Sequence, residues 1–135
     1  MRPPCNAVPH LHGIVHGDCC SRSGMAYPAI IGRRLDEPIV NLGSDGNGQA
    51  EPELANLLAE LDPSMFVLDY CPNLTPQEVR ERTEPFVTTI RQAHPETPIV
   101  IVENIVYQKH RYVETERLSS SDKNDELRAA YERRG

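Results

Sequence analysis

Residues 64–79 read SMFVLDYCPNLTPQEV. Its first seven residues form a short apolar run of the length and composition of a β-strand. Thr75 with Glu78 three positions later is a capping-box pattern, and Pro76 between them suits the first position of a helix. The stretch therefore predicts a strand that passes through a short loop into a capped helix.

A second strand follows that helix. Val79, Phe86, Val87 and Ile90 are spaced so that they face inward from one side of the helix, which HPETP then ends. PIVIVEN, residues 98–104, is β-branched and apolar throughout, which is typical of a parallel strand covered on both faces.

The segments before residue 64 continue the alternation of helix and strand. EPELANLLAELDP predicts a helix, with Pro63 as its stop. PIVNL, residues 38–42, predicts a strand that feeds the glycine loop GSDGNG, residues 43–48. GMAYPAIIGRRL, residues 24–35, predicts a further helix, with Pro28 in its first turn. The expected inward residues of the two helices are Ala26, Tyr27, Ile30, Ile31, Leu35, Leu54, Leu57, Leu58 and Leu61.

The alternation predicts one α/β domain with a parallel sheet and right-handed crossovers. The 135 residues suit a single domain. We expect residues 1–12 to be irregular, because they carry three prolines and no periodicity. Residues 111–135 predict a polar loop followed by a terminal helix that Asp122 or Asp125 caps.

Composition excludes several classes of partner. The net charge of −6 argues against binding to nucleic acid or an anionic membrane. No apolar run reaches the roughly 18 residues of a membrane span, and the N-terminus lacks the apolar core of a signal peptide, so a cytoplasmic location is expected. The early histidines and cysteines match no zinc-ligand spacing, and we expect neither a metal nor a cofactor. Those residues are Cys5, His10, His12, His16, Cys19 and Cys20.

In an open parallel sheet, ligands bind beyond the carboxyl ends of the strands. The glycine loop, YCPNL and ENIVYQKH all follow predicted strands, so we expect them at that edge. Backbone N–H groups of a glycine turn together with the Asn73 amide can form an oxyanion hole. Alternatively, Gly43, Gly46 and Gly48 only supply positive φ for a tight turn, and Asn73 only caps or bends the loop before Thr75.

Residues 24–87, GMAYP through EPFV, resemble the middle of an SGNH hydrolase, the superfamily of GDSL-type esterases and lipases. The resemblance extends from about Ile14 to about Tyr107. It is strongest to a bacterial subgroup whose first block reads roughly GTSITQGGCASRPGMAYP. It implies a flavodoxin-like three-layer α/β/α sandwich, here truncated. It also implies hydrolysis of small-molecule or carbohydrate esters through an acyl-serine intermediate.

Carried over by residue, the resemblance makes Gly46 and Asn73 the oxyanion donors of the second and third blocks. Gly13 falls where the family has its nucleophilic serine. The late GxHP block that supplies the catalytic Asp and His is not found, and His94-Pro95 ends a crossover helix at the opposite edge. We therefore expect this chain to be inactive, because a hydroxyl nucleophile needs a neighbouring base.

Several side chains remain as substitutes, and two functions remain open. Replacement nucleophiles or bases are Ser44, His110, the pair His16 and Asp18 near Ser21, and the thiols of Cys19 and Cys71. The first hypothesis is an incomplete ester hydrolase from a truncated or frame-disrupted gene. The second is a non-catalytic module that binds an anion or a carbohydrate at the edge of Gly46 and Asn73. The sequence specifies neither the substrate nor the oligomeric state.

Overall fold

The computed structural model describes residues 13–18 and 20–133, in which helices pack on a small parallel sheet. The helices are α1 (Gly13–His16), α2 (Tyr27–Leu35), α3 (Pro52–Ala59), α4 (Pro76–Ala93) and α5 (Glu114–Glu132), and the strands are β1 (Phe66–Leu68) and β2 (Ile99–Ile101). Short 3-10 turns occupy Asp45–Asn47, Cys71–Asn73 and Gln108–Arg111. The two strands predicted at 64–70 and 98–104 are confirmed, as is the helix between them. The irregular segment expected at 1–12 lies outside the described residues.

The strand–helix–strand unit is organised by the capping box of α4. β1 and β2 run parallel, with Phe66 opposite Ile99. The Thr75 side chain accepts a hydrogen bond from the Glu78 backbone N–H, and the Glu78 carboxylate accepts one from the Thr75 N–H at 2.8 Å. This reciprocal pair satisfies N–H groups that a helix start otherwise leaves unpaired. It fixes the point at which the chain turns from β1 into α4.

The core joins β1 to α3, α4 and α5. The four residues of α4 predicted to face inward are all buried, which confirms the helical face predicted from the sequence. Their apolar spacing places one stripe of the helix against the strand. The core members are Ala50, Ala55, Leu58, Phe66, Leu68, Tyr70, Cys71, Leu74, Val79, Phe86, Val87, Ile90 and Leu127.

The prediction of a strand at residues 38–42 is wrong. Among the described residues this segment pairs with no strand. It packs instead against α2, where a Cβ built on Gly32 would lie 2.9 Å from Ile39 Cγ1. At its end the Asn41 amide donates to the Val15 carbonyl at 2.6 Å. An apolar run becomes a strand only when its backbone pairs with that of another strand. Residues 38–42 contact α2 instead, and the Asn41 side chain supplies the hydrogen bond to Val15.

Three positions predicted to be buried are exposed, and one strand face is open. Leu57 is 60% exposed, because α3 turns Ala55 and Leu58 toward the core instead. Ile31 and Leu35 are exposed because α2 buries Pro28 and Gly32, although Pro28 does lie in its first turn as predicted. In β2, Val100 is 44% exposed, so the prediction that both faces of this strand are covered is wrong among the described residues.

The prediction of a polar loop before the last helix is also wrong. α5 starts at Glu114 and runs without interruption through the serines at 119–121, so neither Asp122 nor Asp125 caps it. Leu127 is buried against the core, and Arg128 binds Glu103 at 2.6 Å, which ties α5 to the end of β2. Tertiary contacts of this kind override the weak helix propensity of serine. None of the helices in the described residues is long and apolar enough to cross a membrane.

Candidate functional site

Asn73 lies in the turn that follows the carboxyl end of β1. The turn Cys71–Asn73 begins three residues after the last residue of the strand, and the Asn73 N–H donates to the Tyr70 carbonyl at 3.0 Å. Tyr70 is fully buried, and its hydroxyl donates to Thr83 Oγ1 of α4 at 3.1 Å. Burial raises the pKa of the Tyr70 phenol well above its ordinary value, so it remains a neutral donor. The turn is therefore fixed from below by the core.

The side chain of Asn73 holds the glycine loop. Its Nδ2 donates to the Asp45 carbonyl at 2.9 Å and to the Gly48 carbonyl at 2.9 Å. An amide nitrogen carries two hydrogens, so these two bonds engage both. The two segments that the sequence placed at one edge are thus in direct contact. The alternative in which Asn73 caps or bends only its own loop is wrong, because its bonds reach across to residues 45 and 48.

Gly46 lies at the tip of the glycine loop, in the turn Asp45–Asn47. It is exposed, and a Cβ built on it would meet nothing within 4 Å. Its φ lies outside the left-handed region, whereas Asp45 has φ 55° and Ala50 has φ 54°. The alternative in which the loop's glycines supply positive φ is therefore wrong, since non-glycine residues carry it. Nothing in this conformation requires a glycine at position 46.

A chain of hydrogen bonds connects Gly46 to the start of α4. Gln49 Nε2 donates to the Gly46 carbonyl at 3.2 Å. Arg82 donates to the Gln49 carbonyl at 3.1 Å and to Glu78 Oε1 at 2.9 Å. Glu78 is the capping-box residue that also binds Thr75. These hydrogen bonds therefore fix the position of the glycine loop relative to α4, which begins three residues after Asn73.

The short helix α1 packs on the first residue of the glycine loop. His16 Nδ1 donates to the Gly43 carbonyl at 3.0 Å, and the Gly43 N–H donates to Asn41 Oδ1 at 2.9 Å. Val15, also in α1, is fully buried. Gly13, the residue predicted at the nucleophile position, begins this helix. The segment that would carry a nucleophile thus adjoins the loop that carries Gly46, and at position 13 it offers no side chain.

A family model for GDSL-like lipases and acylhydrolases matches residues 10–134. The chain belongs to the GDSL-like lipase/acylhydrolase family. A crystal structure of a protein described as a GDSL-like lipase, from Bacteroides ovatus, is similar over 93% of this chain, with 36% identity and a TM-score of 0.90. The family and this match confirm the SGNH assignment and an α/β fold of that type.

A second solved structure supports the same fold. The salicylyl-acyltransferase SsfX3 from a tetracycline biosynthetic pathway is similar over 96% of this chain, with 18% identity and a TM-score of 0.82. The chain spans 37% of the Bacteroides ovatus protein and 39% of the acyltransferase. No curated protein matches the sequence.

One contact at the carboxyl end of β1 was not foreseen from the sequence. The Tyr27 hydroxyl of α2 donates to Asp69 Oδ2 at 2.8 Å, and Asp69 is buried directly after β1. Burial and the neighbouring Asp69 charge raise the pKa of Tyr27 far above its ordinary value. The bond attaches α2 to the carboxyl end of β1. The two residues are 42 positions apart, so no local sequence pattern predicts the contact between them.

The structure does not assemble the substitute catalytic residues around the glycine loop. Ser44 is exposed, and within residues 13–18 and 20–133 it makes no hydrogen bond to an imidazole. The His16 ring binds Gly43 rather than Ser21. Cys71 is buried, and burial raises the pKa of its thiol to about 11, which disfavours the thiolate that a nucleophile needs. Cys19 lies outside the described residues.

His110 belongs to a buried polar cluster rather than to the glycine loop. Its Nε2 lies 3.4 Å from Ser120 Oγ, which accepts a hydrogen bond from Asn104 Nδ2 at 2.8 Å. All three side chains are buried, and His110 Nδ1 and Asn104 Oδ1 have no partner among the described residues. The serine is enclosed within α5, so this contact ties the loop after β2 to the helix.

His94 lies at the opposite edge of the sheet, as predicted. Its Nε2 bonds to the Ala59 carbonyl at 3.0 Å, and its ring packs 5.2 Å from Phe66, the first residue of β1. It is therefore remote from the turn that carries Asn73. In the part of the chain that the structure describes, no group of three or more His, Cys, Asp or Glu side chains is placed to hold a metal ion.

Proposed function

We propose that the edge formed by Gly46 and Asn73 is the oxyanion-binding half of a GDSL-type ester-hydrolase site. We further propose that this chain forms no acyl-enzyme. The observation that carries the proposal is the direct contact between Asn73 and the glycine loop, beside the helix that Gly13 begins. Family membership and the 36% identity to a GDSL-like lipase support it.

The chemistry follows from what the edge contains. An N–H of the glycine loop and an amide hydrogen of Asn73 are donors suited to the negative oxygen of a tetrahedral intermediate. Acyl transfer also requires an activated nucleophile, and glycine at position 13 supplies none. An oxyanion hole without nucleophile and base retains only a small part of the catalysis. We therefore propose that the chain binds small oxyanions. In active members of the family, the same edge would serve the hydrolysis of small-molecule esters.

The inactivity is tested by labelling the purified chain with a fluorophosphonate probe and measuring its intact mass. We expect no adduct and no hydrolysis of p-nitrophenyl acetate above the rate in buffer alone. A stoichiometric adduct would overturn the proposal. Peptide mapping would then identify the nucleophile, with Ser44→Ala and Ser21→Ala as the first variants to examine.

The binding half is tested with methylphosphonate, a stable tetrahedral oxyanion. We expect saturable shifts of the Gly46 amide and the Asn73 side-chain amide in ¹⁵N NMR spectra, and their loss in Asn73→Asp, which has no amide hydrogens to donate. The open surface around Gly46 also favours the second candidate, a carbohydrate ligand at the same edge. Shifts produced by a neutral acetylated sugar in place of methylphosphonate would support that candidate.

A further inference from the structure

We propose that the peptide between Asp45 and Gly46 is a switch that must flip before the glycine loop can bind an oxyanion. This inference rests on the proposed function of Gly46 and Asn73. It starts from the direction of two donors. A trans peptide places its C=O and N–H on opposite sides, and the described residues contain no cis peptide. Because the Asp45 carbonyl points at Asn73 Nδ2, the Gly46 N–H points away from Asn73.

In the conformation described, the donors of Asn73 are therefore paired within the protein. The two amide hydrogens of Asn73 bind the carbonyls of Asp45 and Gly48. The Gly46 N–H does not point at the same position as these hydrogens. An oxyanion hole requires donors that point at one position. In this state, the Asp45 carbonyl occupies the place beside Asn73 that a ligand oxygen would take. The loop thus inhibits its own site.

A rotation of this one peptide by about half a turn would change both the hydrogen bonding of Asn73 and the direction of the Gly46 N–H. It withdraws the Asp45 carbonyl from Asn73, which frees one amide hydrogen, and turns the Gly46 N–H toward the same side. The neighbouring peptides are anchored, since the Asn47 N–H donates to the Ser44 carbonyl and Gln49 holds the Gly46 carbonyl. The motion is therefore confined to ψ of residue 45 and φ of residue 46.

The flip explains why position 46 is a glycine. In the described state, its φ is outside the left-handed region and a Cβ would meet nothing, so any small residue fits. Turning the peptide by about half a revolution carries φ of residue 46 into values that only glycine adopts readily. Asp45, at φ 55°, already occupies a region that side chains other than those of Asn and Asp rarely adopt.

The test compares Gly46→Ala with Asn47→Ala, an exposed neighbour in the same turn. Alanine at position 46 keeps the N–H and changes only the backbone freedom. We expect Gly46→Ala to melt at or above the wild-type temperature and to bind methylphosphonate about tenfold or more weakly, because the competent state is depopulated. Asn47→Ala should bind within about twofold of wild type. In the free protein, relaxation dispersion should reveal exchange at the Gly46 amide that Gly46→Ala abolishes.

The outcomes separate this inference from the proposed function. If Gly46→Ala binds as tightly as wild type while Asn73→Asp does not bind, the switch is wrong and the oxyanion site stands. If exchange at Gly46 is present but wild type binds no methylphosphonate, the peptide flips and the oxyanion function is wrong. If the free protein shows no exchange and binding is unaffected by alanine at 46, the switch is overturned on both measurements.

Discussion

Gly43 lies directly against the backbone of α1. A Cβ built on it would lie 2.7 Å from the His16 backbone nitrogen and 2.9 Å from its Cα. Both atoms belong to the backbone, so neither can rotate away. We expect Gly43→Ala to lower the free energy of unfolding by about 1–3 kcal/mol, since overpacking of this kind forces the backbone to shift. Urea unfolding followed by circular dichroism measures the change.

Gly46→Ala is the matched control for this prediction, because it makes the same chemical change three residues away in open space. We expect its free energy of unfolding to equal that of wild type or to rise by about 0.4–1 kcal/mol, since alanine restricts the unfolded chain. Equal stability of Gly43→Ala and wild type would show that α1 does not pack on the glycine loop as described.

Ser120 is the residue on which the buried cluster after β2 depends. Replacing it with alanine leaves Asn104 Nδ2 and His110 Nε2 buried without the hydroxyl that each now contacts. We expect Ser120→Ala to cost about 1–3 kcal/mol in the free energy of unfolding, the usual penalty of orphaned buried polar groups. Ser121→Ala, exposed on the same helix, should remain close to wild type. Equal costs for the two variants would contradict the buried cluster.

At the scale of the element, the predictable helix is the one whose signals are local. The cap, first proline and apolar stripe of α4 all lie within the helix and its boundary, and the structure confirms each. The start of α5 differs from the prediction because the continuity of this helix through 119–121 depends on residues earlier in the chain, among them Asn104 and Glu103. The strand predicted at 38–42 failed for the same reason, since its partner is a helix.

The capping box makes α4 a pH-dependent element. The Thr75 backbone N–H and hydroxyl hold the pKa of Glu78 below its ordinary value of 4.5. Since the folded pKa is the lower one, the cap stabilises the protein above the unfolded pKa, and that stability is lost as pH falls through the folded pKa. We expect the free energy of unfolding to fall less steeply between about pH 5 and pH 3 in Glu78→Gln than in wild type.

Thr75→Ala provides the second variant for this element. It removes the hydroxyl that accepts from the Glu78 N–H and donates to the Glu78 carboxylate. It should cost about 1 kcal/mol at pH 7, a typical value for a lost N-cap, and should also flatten the acid dependence. An unchanged slope in both variants would show that the cap does not titrate with folding.

At the scale of the whole molecule, the sequence predicts that the glycine loop and Asn73 lie at one edge of the sheet, but not the geometry of the contact between them. Strand ends, the glycine loop and Asn73 are local features, and parallel topology brings them to one edge. The hydrogen bonds from Asn73 to residues 45 and 48 and from Tyr27 to Asp69 each span more than 20 positions. Only the packed fold specifies such contacts. The direction of the Gly46 N–H follows from the hydrogen bond between Asn73 and the Asp45 carbonyl. That direction decides whether the proposed oxyanion donors point at one position.

At the same scale, β2 has an unpaired edge in the part of the chain that the structure describes. Within residues 13–18 and 20–133, β2 pairs only with β1, and Val100 is exposed at its centre. Unpaired strand edges with apolar side chains promote association, and a lysine at such an edge opposes it. We expect Val100→Lys to reduce concentration-dependent light scattering without changing the melting temperature. Leu35→Lys, which is also at an exposed apolar position but on α2, should scatter as wild type does. If both lysines suppress scattering to the same degree, net charge rather than the strand edge controls association.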